Sequence, residues 1–248
     1  MSNHLEGSTT RVDCTLDLLP VEKRAFLKAC IFGDGWLGLQ RKKFVHLRIG
    51  HSAKQHDWLA FKAKEINRIL GKDRKVLGPY LQSDGVSKDK KHESYLYCVD
   101  DHALFRPWFS RWYEVPPEGK VIKHITHDFL SDLGLRELAV LWCDDGSVSS
   151  SNRTKLHKLK DGTLRKYPYV EAQGQIALCS LSLDEYKLVQ DWLYSLTGVK
   201  WRYTPRTKDK RATLSIGKRK LREFLPLIAP YVPSCMSYKV DLSHCRLR

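Results

Sequence analysis

The apolar positions of this chain fall into short periods that recur. "VHLRIG" (45–50) alternates, with Val45, Leu47 and Ile49 on one face and His46 and Arg48 on the other, the two-residue period of a strand buried on one side. "YLYCV" (95–99) and "ATLSIG" (212–217) are similar short runs, and "KWRYT" (200–204) opposes Trp201 and Tyr203 to Lys200, Arg202 and Thr204. "FLKACIF" (26–32) and "LRELAVLWC" (135–143) are denser apolar runs that read as helices. Two further helical periods carry Trp58 and Trp192. Each opens with a capping-box pattern, Ser52-x-x-Gln55 and Ser182-x-x-Glu185, and ends at a glycine, Gly71 or Gly198, suited to the residue just past a helix.

The two dense helices end alike, in "GDG" (33–35) and "DDG" (144–146), so Asp34-Gly35 aligns with Asp145-Gly146 at an offset of 111. Further on, "WYEVPPEGKVI" (112–122) answers "PYVPSCMSYKVDL" (230–242); both carry Val-Pro and then Lys-Val, at Lys120 and Lys239. The expectation is an α+β fold of two equivalent halves, each helix, two strands, helix, two strands, helix. Residues 1–19 read as a loose leader, 20–115 as the first half, 116–127 as a linker, 128–242 as the second half and 243–248 as a tail. The stretch 151–168, "SNRTKLHKLKDGTLRKYP", reads as a basic loop inserted in the second half.

Charge adds a partner. The 43 Lys+Arg against 28 Asp+Glu give a net charge of +15, a field that attracts polyanions, nucleic acid foremost. No basic amphipathic helix or membrane-spanning apolar run argues for a lipid surface. The seven cysteines are scattered without a C-x-x-C pair, which suits reduced thiols inside a cell better than disulfides or zinc.

The acids at the helix ends need a reason, because a carboxylate there faces the negative end of the macrodipole. If the two helices pack side by side about a pseudo-twofold axis, two carboxylates and two helix C-termini crowd together. A divalent cation with hard oxygen ligands, supplied by carboxylates and free backbone carbonyls, relieves that repulsion. Metal-assisted phosphodiester hydrolysis uses such a centre.

"LKACIFGDG" (27–35) and "LAVLWCDDG" (138–146) resemble the two signature motifs of the LAGLIDADG homing endonucleases in their single-chain form, and the resemblance covers roughly residues 20–242. It implies two αββαββα halves with motif helices at the centre and a saddle of antiparallel sheets over DNA. It also implies Asp34 and Asp145 as metal ligands assisted by the carbonyls of Gly33 and Asp144. Lys120 and Lys239 stand where the family places a lysine near the scissile phosphates. Strand alternation then offers Gln40, His46 and Arg48 in the first half, and Gln173, Gln175, Arg202, Thr204, Thr213 and Ser215 in the second, as DNA contacts. The turns "QRKK" and "PRTKDKR" and the stretch 151–168 fall to phosphates.

The implied activity is double-strand cleavage of a long DNA site by a monomer. Mg2+ is the cofactor, Mn2+ a substitute, and Ca2+ a support for binding without cleavage. The alternative is an intron maturase that binds its own intron RNA. The three asparagines against 18 arginines lean towards a bacterial or phage-host cytoplasm rather than an AT-rich organelle.

Overall fold

In the computed structural model, which describes residues 16–41, 43–83, 91–178, 181–205, 212–241 and 243, the repeat becomes two copies of one unit. The first runs α1 (Val21–Phe32), β1 (Gly35–Gln40), β2 (Phe44–Ser52), α2 (His56–Leu70), β3 (Leu77–Ser83), β4 (Lys91–Val99) and α3 (His102–Trp112). A short ribbon, β5 (Tyr113–Glu114) with β6 (Ile122–Lys123), and one turn of helix, α4 (His127–Leu130), lead to the second. There follow α5 (Leu135–Asp145), β7 (Gly146–Lys158), β8 (Leu164–Ile176), α6 (Leu183–Thr197), β9 (Arg202–Thr204), β10 (Thr213–Gly217) and α7 (Lys218–Ile228). The strand orders match, β1-β2-β4-β3 against β7-β8-β10-β9, with antiparallel pairing throughout.

Helices α1 and α5 form the centre. Every residue of α1 from Ala25 to Phe32 is buried, as is α5 from Glu137 to Cys143. A helix apolar all round must be covered on all sides, and each half supplies part of that cover. Lys28 is buried in α1 because Asp132 takes its ammonium at 2.8 Å and the Asp128 carbonyl at 2.9 Å. Arg24 shares Asp132 through two hydrogen bonds, at 2.7 and 3.0 Å, and the two cations hold that carboxyl down at about 2.

The chain turns straight from each central helix into a strand. A Cβ on Gly35 would overlap the Cys30 carbonyl, and one on Gly146 would overlap Trp142, so both turns need glycine for close backbone approach. Gly71 and Gly198 take left-handed conformations, φ +62° and +66°, as expected past α2 and α6. The capping box holds at α6, where Ser182 and Glu185 bond each other's backbone amides. It fails at α2. A 3-10 turn (Ala53–Gln55) intervenes, Ser52 makes no cap, and Gln55 turns to His51 instead.

The basic stretch 151–168 is not a loop but the outer part of a long hairpin, β7 and β8, paired in continuous register from Gly146↔Ile176 to Lys158↔Leu164. From Ser149 to Tyr169 nearly every side chain is exposed, so no apolar face marks it as strand; the cross-strand backbone hydrogen bonds hold it, helped by the Arg153–Glu171 ion pair and the His157–Tyr167 ring contact. The region read as a linker is likewise structured, carrying β6. Most of the leader (1–15), Lys42 of "QRKK", residues 206–211 of "PRTKDKR" and 244–248 of the tail lie outside the described residues. Among the described residues no helix is long and apolar enough to cross a membrane, and Cys30, Cys98, Cys143 and Cys235 are free thiols.

Candidate metal centre and nucleic-acid face

The C-terminal ends of α1 and α5 meet where Gly33 faces Asp144: a Cβ on Gly33 would overlap the Asp144 carboxylate. This brings Asp34, Asp144 and Asp145 into one place. Burial first, then Asp144, pushes the Asp34 carboxyl up to about 6. Burial, then Asp34 and Asp144, pushes Asp145 up to about 7. The two motif acids thus repel in a crowded site that opens to solvent at Asp34, the condition a cation would relieve.

Asp144 behaves differently. Its side chain is fully buried, and Oδ1 accepts from Trp58 Nε1 at 2.6 Å and from the fully buried Lys62 Nζ at 2.8 Å. Oδ2 accepts the backbone N–H of Asp34 at 3.2 Å, tying the second motif to the first. From the sequence only the Asp144 carbonyl counted; in the structure its carboxylate is the hub. His51, at the end of β2, stands beside it, with Nε2 3.8 Å from Asp144 Oδ1 and Nδ1 3.5 Å from Asp34 Oδ2. Burial and Lys62 lower its pKa to about 4, so the ring is neutral at pH 7. Asp34, His51 and Asp144 each offer a donor atom within 4.8 Å of the others, a group consistent with a divalent cation.

Two lysines cap the helix ends, one in each half. Lys239 Nζ donates to the Gly146 carbonyl at 2.6 Å, while its own carbonyl accepts from Trp142 Nε1 at 2.9 Å. Its partner is Lys123, not Lys120. Lys123 Nζ donates to the carbonyls of Ile31 and Phe32, at 2.6 and 3.0 Å, at the end of α1. Burial lowers its pKa to about 8 against the pull of Asp145, Asp34 and Asp144. Lys120 is exposed in the turn before β6, next to Gly119 at φ +115°. The physical reason is strand alternation: Ile122 points outward and Lys123 inward. No matched spacing announced it, because Lys123 follows Pro116 of its Val-Pro pair by seven residues whereas Lys239 follows Pro233 by six.

The polar face of each sheet continues outward from its acid. In the second sheet, register sets Ser147, Gln175, Ser215 and Arg202 in one row across four strands. Gln173 and the Thr213–Thr204 pair flank that row on the same face. All six second-half candidates therefore share one face, although Ser215 is buried, its hydroxyl 3.4 Å from the Arg202 carbonyl. In the first sheet Trp36↔Arg48, Gly38↔His46 and Gln40↔Phe44 pair across β1 and β2. Gln40 is exposed there, but His46 is buried, because the Trp36 ring lies over Gly38 against it. Both ring nitrogens of His46 and Nε of Arg48 are buried without a hydrogen-bond partner.

The description of the LAGLIDADG DNA endonuclease family matches residues 24–224, most of the chain and both motifs. The chain belongs to this family. Among solved structures, the LAGLIDADG fold is shared with the homing endonuclease I-WcaI bound to its DNA recognition sequence, at TM-score 0.62 and 17% identity over 90% of this chain and 87% of that one. The LAGLIDADG homing endonuclease I-SmaMI bound to cleaved DNA aligns at TM-score 0.50 and 10% identity, over 87% and 86%. Protein RecA of Mycobacterium gastri is 24% identical over 231 residues, which are 90% of this chain and 48% of that protein. Protein RecA of Mycolicibacterium flavescens is 24% identical over 85% of this chain and 44% of that protein. The chain spans about half the length of the curated relatives it matches.

Proposed function

We propose that this LAGLIDADG chain is a site-specific DNA endonuclease that cuts both strands of a long target as a monomer, both halves being present in one chain. The observation that carries this reading is the meeting of two acid-ended helices, each capped by an inward lysine, below two sheets whose polar faces run out from those acids. The residues present fit a hard divalent cation: the carboxylates of Asp34 and Asp145 are crowded and partly desolvated, and the helix ends leave carbonyl oxygens beside them. We assign Mg2+, with Mn2+ able to replace it. When bound, the cation supplies charge neutralisation and water activation at the scissile phosphate.

The chain's own residues do the rest. Asp34 and Asp145 bind the cation and fix the two cutting positions at the pseudo-twofold axis. Lys123 and Lys239, anchored on helix carbonyls, direct positive charge at the phosphate as charge builds on its oxygens. From that row Ser147, Gln175 and Arg202, with the first-sheet residues Gln40 and Arg48, read base edges in the major groove, Arg and Gln bidentately, while the buried Ser215 does not reach DNA. The exposed basic hairpin holds phosphates and adds affinity without sequence information. A maturase reading finds less support, since RNA binding alone asks for neither both acids nor both inward lysines.

The test uses supercoiled plasmid carrying the joined flanks of the gene, incubated with Mg2+ while nicked and linear forms are resolved over time. The wild-type chain should linearise it. Asp34→Asn and Asp145→Asn should each abolish linear product while binding measured in Ca2+ persists. With a shared centre, neither should leave a clean nickase. Near wild-type linearisation by either variant would remove these acids from the mechanism.

A further inference from the structure

The helix-free faces of the two sheets can be matched residue by residue, because each strand that follows a motif acid starts in the same register, Gly35↔Ile49 against Gly146↔Ile176. Trp36 then stands where the second sheet has Ser147, and Phe44 where it has Glu171. One strand further across, Cys98 matches Ser215, and two residues before them the Leu96–Leu77 pair takes the place of the Thr213–Thr204 pair. Each exchange takes away a hydroxyl or a carboxylate and puts apolar surface in its place. Trp36, Phe44 and Leu77 are 41%, 47% and 45% exposed, and Leu96 is half-buried on the same face. Beside Leu96 the face sinks into a hollow of about 470 Å³, bordered by Tyr80 and by Gly50, which has no side chain to fill it. Apolar groups gathered on a surface that also carries Arg48 and Gln40 mark a contact.

We propose that Trp36, Phe44, Leu77 and Leu96 read thymine 5-methyl groups in the major groove, so that the half-site under the first sheet is recognised through methyl contacts and the other half-site through hydrogen bonds. The proposal rests on the reading of the chain as a DNA endonuclease. What the patch touches must be apolar yet belong to a polyanion, because cations border it. Arg48 pairs with Trp36 across the strands, and the Lys43 ammonium lies 5.9 Å from the Phe44 ring. The methyl of thymine is the one apolar group that the four bases present in the major groove. A leucine offers a base edge nothing but this contact, whereas the hydroxyls of Thr204 and Thr213 can donate or accept. RNA carries uracil, which lacks the methyl, so the patch finds its partner in DNA and not in an RNA of the same sequence. The two half-sites therefore differ in kind, and the target is not a palindrome.

The experiment measures binding of the full chain, in Ca2+, to a duplex of the joined flanks of the gene. Every thymine of one half, and then of the other, is replaced by deoxyuridine, which removes the methyl and keeps every hydrogen-bonding group. In the half under the first sheet affinity should fall about fourfold for each contacted methyl, the worth of burying one such group, and in the other half less than about twofold in all. Leu77→Thr combined with Leu96→Thr installs the second-sheet pair and identifies the half. It should shrink the thymine–deoxyuridine difference there and leave the opposite half untouched. Far-UV circular dichroism accompanies the double variant, and the wild-type comparison needs no variant at all. Deoxyuridine tolerated in both halves, equal losses in the two, or a loss that the folded double variant does not reduce overturns the proposal. Linearisation of the target in Mg2+ by a chain indifferent to the methyls would remove this proposal alone and leave the endonuclease reading standing. Discrimination of the methyls by a chain that cleaves nothing would do the reverse, and a wild type with no preference for this duplex would overturn both.

Discussion

The two halves share a fold and a strand order, yet they bring different chemistry to the axis where they meet. On the first side α1 ends in Gly33-Asp34; on the second α5 ends in Asp144-Asp145. Counting back from the C′ glycines, Lys62 of α2 corresponds to Val189 of α6, and Trp58 to Glu185. Glu185 serves its own helix cap and the amide of Ile125, whereas Trp58 and Lys62 reach across to Asp144. The extra acid of the second half is thus neutralised by the first, and Gly33 is the gap that admits it. A symmetric scaffold has acquired a buried cross-half ion pair without adding a residue. Such a pair contributes little net stability but is costly to break, and that makes the two halves interdependent.

The largest effect should come from breaking that pair. Lys62→Met leaves Asp144 buried without its cation and should cost about 3–5 kcal/mol in urea unfolding. Adding Asp144→Ala to it should recover most of the loss, because neither charge is then stranded. Equal, additive losses for the two single substitutions would show that the halves are not coupled through this contact.

Next in size is the lysine pair. Lys123→Met and Lys239→Met should each lower the cleavage rate by roughly 10²–10³-fold, the scale of losing one transition-state donor. Lys120→Met should leave single-turnover rates near wild type. A large loss at Lys120 would restore the assignment that the Lys-Val match suggested.

A smaller effect separates the acids by pH. Burial and mutual repulsion push the Asp34 and Asp145 carboxyls up to about 6 and about 7, above the ordinary carboxylate range, so protons compete with metal across that window. Mn2+ affinity should rise as pH climbs from 5 to 8 and then level off, with proton release on binding largest at the low end. Affinity already level at pH 5 would mean that neither acid is crowded as the geometry shows. Because the His51 ring stays neutral down to about pH 4, it should not shape this profile.

The smallest effect belongs to the hairpin, the feature without a counterpart of equal length in the first half. Replacing Lys155, Lys158, Lys160 and Lys166 with Gln should flatten the salt dependence of DNA binding. Each lost phosphate contact removes about 0.9 from the slope of log K against log salt. Preferred target sequence should not change. A changed preference would move the hairpin from phosphate contact to base reading.

Period and repetition determined much of this protein from its residues alone. The alternation of Val45, Leu47 and Ile49, the glycines closing α2 and α6, and the twofold acid-glycine ending set the halves, the central helices and the motif acids. These are local signals, since a residue's face follows from its place in a strand or helix. The hairpin of 151–168 escaped because strands exposed on both faces carry no apolar alternation. The inward turn of Lys123 was not legible in the sequence because it depends on a two-residue ribbon. The partners of Asp144 could not be read at all: Trp58 and Lys62 lie 86 and 82 residues away in sequence. Only the packing of one helix end against another, at a glycine with no side chain to prevent it, brings them to a carboxylate that burial makes unable to stand alone.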